Sequence, residues 1–161
     1  MATASATFSL EKPRAFPSIF WGGLLCGILD LTAACVTWGI RAGVGPIRIG
    51  QSIANGLLGP RAFAGGWRTA VLGVAIHFLI AFTATTVFYI ASRYFKFLIH
   101  RSILFGALYG IAVHLFMSQI VVPLSAVRRG PFSSLNFTIA IITHIFCVGL
   151  PISLSVRHFS K

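Results

Sequence analysis

Four apolar stretches of about 20 residues each leave this chain few folds to choose from. They cover residues 19–40, 69–91, 102–122 and 135–156. A helix of about 20 residues spans the roughly 30 Å hydrocarbon core of a bilayer. Only 9% of the 161 residues are charged, while 57% are apolar and the mean hydropathy is +0.89. A soluble domain carries about 25% charged residues, enough to coat its surface. This chain lacks that coat. The reading is an all-α integral membrane protein, a four-helix transmembrane bundle forming one domain over residues 19–156.

The segments between the stretches are polar and carry stop signals. Residues 1–18 read as a polar N-terminal tail, and their Ser, Thr and Ala content resembles a weak transit peptide. A cleaved signal sequence is not expected, because the first apolar run is too long and Asp30 interrupts it. In the first connection, Pro46 suits the first turn of a helix and Gly59-Pro60 ends one. Between them Ile49, Ile53 and Leu57 recur every fourth residue, with Arg48, Gln51, Ser52 and Asn55 on other faces. This spacing predicts a short amphipathic helix over 46–58 lying in the membrane interface, with a re-entrant segment as the alternative. Pro123 marks the end or a kink of the third span, and Pro151 kinks the fourth. Residues 157–161 form a short basic tail.

Thirteen Lys and Arg against 2 Asp and Glu give a net charge of +11. The cations flank the apolar runs, where they meet anionic lipid headgroups. No basic stripe interleaves with exposed aromatics, so nucleic acid is not an expected partner. Lys and Arg are shared almost evenly between the two sides. Their small excess favours both termini on the cytoplasmic side. Cys26, Cys35 and Cys147 are an odd set inside apolar runs, which fits packing residues better than disulfides.

Each span also carries one costly residue: Asp30, His77, His114 and His144. From the side where the first span begins, Asp30 lies roughly 16 Å deep, His114 roughly 18 Å, His77 roughly 21 Å and His144 roughly 18 Å. All four therefore share one layer just past the midplane. Small residues follow each of them at helical spacing, which points the four inward. Gly23, Gly27, Gly73, Gly106 and Gly110 stand out as close-packing positions.

Three imidazoles and a carboxylate are a complete donor set for a transition metal ion, with Cys26 and Cys147 one turn away as possible soft ligands. Two of the histidines suit haem b equally well. Two other readings stand beside this one. The layer is a structural hydrogen-bonded core, completed by Gln119, Thr143 and neighbouring hydroxyls, in an accessory or assembly subunit of a larger membrane complex or a homo-oligomer. Or it is a proton relay, or the site of a proton-coupled transporter. No complete catalytic motif occurs: no serine sits in a nucleophile elbow, and Gly43-Val44-Gly45-Pro46 lacks a phosphate-cradling pattern.

The run from Gln51 to Gly59, then Gly65-Gly66-Trp67, Leu72-Gly73 and Ile76-His77-Phe78, together with Asp30 and the segment from His144 to Pro151, resembles a group of small bacterial four-span inner-membrane proteins with no established activity. The resemblance covers residues 22–155. It implies a bacterial inner-membrane setting and says nothing about chemistry.

Overall fold

The computed structural model describes residues 14–128, 130 and 132–160. Most of the expected N-terminal tail, Arg129 and Pro131 of the third connection, and Lys161 lie outside the described residues. The described residues are helical, with no strand among them. Four helices are long and apolar enough to cross a membrane: Ala15–Ala42, Gly66–Tyr94, Ser102–Leu124 and Ser134–Phe159. Each expected span falls inside one of them. Only 17–33% of each apolar window is buried within the chain, so most of this surface faces outward. In water such a surface would aggregate; in lipid it matches its solvent. The chain is a multi-pass membrane protein.

The first span is one unbroken helix, α1 (Ala15–Ala42). Pro17 sits in its first turn, where the missing N–H is not needed. The helix ends at Gly43, whose φ of +63° lets its N–H reach the Gly39 carbonyl at 3.0 Å while the Val44 N–H reaches Trp38 at 3.2 Å. Helix α2 (Pro46–Leu58) follows, opened by Pro46 and closed at Gly59, with a 3₁₀ segment over Gly59–Ala64. The face of α2 turned inward is Ile49, Gly50, Gln51 and Ala54. Of the expected stripe, Ile53 is half-buried and Leu57 exposed. Smallness explains the difference: the Gly50 backbone lies directly against Ala70 and Gly73, closer than an isoleucine stripe would allow. Gln51 Nε2 donates to the Gly66 carbonyl at 3.0 Å and fixes the junction with α3 (Gly66–Tyr94).

A short turn, α4 (Phe97–His100), leads to the third span. That span comprises α5 (Ser102–Phe116), a π-helical segment over Met117–Val121 and α6 (Val122–Leu124). The fourth span repeats the pattern with α7 (Ser134–Thr143), a π segment over His144–Gly149 and α8 (Leu150–Phe159). Ser133 caps α7, its hydroxyl accepting from the Asn136 N–H at 3.4 Å. Both π segments end two residues before a proline, Pro123 or Pro151. Proline withdraws one helical donor and its ring crowds the carbonyl four residues back. Widening the preceding turn relieves that crowding.

Helices α1, α3, α5 and α8 meet in a core of Cys26, Ala81, Phe88, Val148, Ile152 and Val156. Tyr109 on α5 packs on Phe88 and donates its hydroxyl to the Ala84 carbonyl of α3 at 2.7 Å. Glycines set the spacing. A methyl group at Gly23 or Gly27 would strike Phe82 or Phe78 of α3, and one at Gly73 would strike the Gly50 backbone. A similarly close approach joins α5 to the fourth span: Gly106 and Gly110 lie against the backbone of Gly149 and His144. Gly149→Leu should therefore lower stability by about 1–3 kcal/mol or abolish folding, since the atoms it meets are backbone and cannot step aside. Gly45→Ala, with nothing within 4 Å of the added methyl, should leave the thermal unfolding midpoint in detergent unchanged.

Candidate intramembrane polar site

Two helical stripes face each other across a gap. On α1 the stripe is Asp30, Ala33, Ala34, Thr37, Trp38 and Arg41; on the fourth span it is Asn136, Ile139, Ala140, Thr143 and His144. Both follow the i, i+3, i+4, i+7 spacing of a single helix face. Alanines at the centre of each stripe keep the helices from filling the space. The result is an open cleft of about 160 Å³, room for several waters.

The direction of the cleft follows from the chain. Arg41 ends α1 and Asn136 begins α7, so these two mark the mouth. Asp30 and His144 lie eight to eleven residues further in, roughly 12–16 Å along the helices. The cleft is thus a path from one end of the spans to their middle. Among the described residues Asp30 makes no hydrogen bond or ion pair, and its side chain is half-buried against this gap. An ionisable group at that depth is costly unless water or a partner solvates it.

The paired histidines lie behind Asp30. His144 Nδ1 is 2.8 Å from the Ala140 carbonyl. A carbonyl only accepts, so Nδ1 carries the proton and, in the neutral ring, Nε2 presents its lone pair. The His114 ring meets the His144 ring edge to face at 4.9 Å between centroids, and Phe137 closes its other side at 5.3 Å. His114 is only 8% exposed, and its Nε2 is buried without a hydrogen-bond partner. Asn136 Oδ1 is likewise buried and, among the described residues, unpartnered. Two orphaned polar atoms beside one cleft are notable, since buried polar groups are nearly always satisfied. Asp30 is also near enough to act electrostatically on His114, Cys26 and Cys147.

The expected four-residue layer is therefore divided. Asp30, His144 and His114 come together. His77 does not join them: its Nε2–H donates to the Gly27 carbonyl of α1 at 3.0 Å and its ring stands edge-on to Phe78. Gln119 lies on the π segment after α5, exposed and 3.4 Å from the Ser118 hydroxyl, away from the site. Thr143 lines the cleft as a supporting polar group, whereas Thr37 and the cleft itself were not foreseen from the sequence. Cys26 is buried in the apolar core and Cys147 is half-buried, both as free thiols.

Among the described residues no group of three His, Cys, Asp or Glu side chains is placed to hold a metal ion. The expected convergence of three imidazoles and Asp30 fails because His77 is turned to a backbone carbonyl. The His114–His144 pair does not suit haem b as it stands. The axial rings of a haem face the iron from opposite sides of the porphyrin. Rings touching edge to face at 4.9 Å leave no space between them for a macrocycle.

No family model, curated protein or solved structure matches the chain.

The cleft predicts a pattern of chemical access. Thr37→Cys and Thr143→Cys should react with a water-soluble, membrane-impermeant thiol reagent added to the side where α1 ends. Leu29→Cys, near mid-span like Thr143 but on the outward face, should not react above the wild-type background. Equal protection at all three positions would mean the cleft is closed to water.

Proposed function

We propose that this protein is a four-helix transmembrane bundle, with α2 as a short interfacial amphipathic helix, whose Asp30–His144–His114 file takes up and passes on protons. The observation that carries this reading is the cleft: a carboxylate and an imidazole at mid-span share one opening toward the membrane surface, and a second imidazole stands behind them with an unused nitrogen. A carboxylate reached by water can exchange protons with it, and imidazole is the side chain that changes charge between about pH 5 and 8. Chains of Asp and His serve this purpose in membrane pumps and transporters. The π segments beside both histidines favour the same reading, because such turns recur at functional sites.

We place the protein in a bacterial inner membrane with both termini cytoplasmic. The cleft mouth at Arg41 and Asn136 then faces outward, and protons enter from that side. The movement of a proton alone, or its coupling to a small solute, are two forms of the same site.

The rival reading is an accessory or assembly subunit, alone or as a homo-oligomer, with a purely structural polar core. Its support is His77 and Tyr109, each bonded to a carbonyl of a neighbouring helix and each tying two spans together. A single such bond contributes about 0.6 kcal/mol. The two readings separate in proteoliposomes loaded with a pH indicator and driven by a potassium diffusion potential. The wild type should acidify the lumen, with a rate that changes between about pH 5 and 8. Asp30→Asn should abolish the flux while the protein stays folded, and His144→Gln should reduce it severely. A folded wild type with no flux above empty vesicles would favour the structural subunit.

A further inference from the structure

A second, larger cavity opens at the other end of the protein. It is a groove of about 570 Å³ between the start of α1 and the end of α8, lined by Trp21, Leu25, Leu154, Arg157, His158 and Phe159. Its residues are sorted by depth. Arg157 and His158 lie in the last turn of α8. The Arg157 guanidinium reaches across to Ser102, the first residue of α5, at 3.0 Å. This end is therefore the membrane boundary. Leu154 is one turn deeper on α8, and Trp21 and Leu25 descend along α1. Trp21, Leu25 and Leu154 are 46%, 42% and 44% exposed, so the chain leaves them uncovered.

Among the described residues the cations at the mouth have no carboxylate to face. The chain has two acidic residues, Asp30 and Glu11, and Asp30 is the one among the described residues, at the middle of α1 and away from this end. Arg157 is half-buried and, among the described residues, donates to a neutral hydroxyl there. A planar guanidinium and an imidazole above an apolar trough complement a phosphate carried on an acyl chain.

We propose that this groove is a binding site for an anionic phospholipid, its phosphate held by Arg157 and His158 and one acyl chain lying along Trp21, Leu25 and Leu154. The site is independent of the proton path and stands or falls without it.

Trp21 supplies the reporter. The full chain with Trp38→Phe and Trp67→Phe keeps Trp21 as its one tryptophan. It would be reconstituted in phosphatidylcholine vesicles doped with either acyl-brominated phosphatidylglycerol or acyl-brominated phosphatidylcholine. Bromine quenches tryptophan fluorescence on contact. The anionic lipid should reach half its full quenching at about a fivefold lower mole fraction than the zwitterionic one. Arg157→Gln should erase that preference and Arg157→Lys should largely keep it. His158→Gln, a change at an exposed side chain, should weaken it and provides the test if Arg157→Gln does not fold. Excess inorganic phosphate, against matched chloride, should leave the preference intact. Equal quenching by the two lipids, or a preference that survives loss of the cations, would overturn the proposal. So would abolition by inorganic phosphate, which would assign the cations to a soluble anion.

Discussion

The backbone contact between α5 and the fourth span governs what the polar residues can do. Gly110 on one side meets the backbone of His144 and Gly149 on the other, and Gly106 lies against Gly149 and the Ser153 hydroxyl. Lipid offers no hydrophobic drive for helices to associate, so close van der Waals packing of this kind has to supply the attraction. Two helices brought together at Gly110 must also bring together what lies one turn further on. That is how the rings of His114 and His144 come to touch at 4.9 Å. Side chains of ordinary size at the glycines would part the rings and leave two unrelated histidines.

The prolines act on the same region by a different route. Pro123 and Pro151 each widen the turn before them, and the segment before Pro151 begins at His144 itself. A π turn inserts one residue into the helical repeat and shifts the phase of everything beyond it. In α7, before the shift, the stripe from Asn136 to His144 faces α1 and lines the cleft. Beginning within the segment, Val148, Ile152 and Val156 face the apolar core. One transmembrane helix thus presents a polar face toward the cleft mouth and an apolar seam toward the other end. The cleft and the lipid groove lie at opposite ends of the same α1–fourth span pairing.

Much of this was legible in the sequence. Apolar run length gives the four spans, Pro46 and Gly59-Pro60 bound α2, and a 1.5 Å rise puts Asp30 and His144 at one level. Depth is readable because it depends only on rise per residue. Direction around the helix is harder. Small residues beside His77 mark a contact face, but not which neighbour it meets or whether a backbone carbonyl there will take the ring nitrogen, as Gly27 does. Gly149 shows the limit most clearly. In a regular helix residue i+5 points well away from residue i, which separates Gly149 from His144. The π segment brings both onto α5, and the only forewarning was Pro151 two residues later. The cleft left a fainter signal still: the small residues on the faces of Asp30 and His144, Ala34 and Ala140 among them, read as packing residues, yet here their smallness keeps a gap open rather than closing one.

The central claim is that Asp30, at mid-membrane, exchanges protons with water through the cleft. Infrared difference spectroscopy of the reconstituted protein during a pH titration addresses it directly, because the chain holds only two acidic side chains, Asp30 and Glu11. The account predicts a carboxylic C=O band that appears on acidification, moves promptly in heavy water and is missing in Asp30→Asn. A titration in which no carboxylic band is removed by Asp30→Asn would contradict it, since a carboxyl group that exchanges protons with water has to change its protonation.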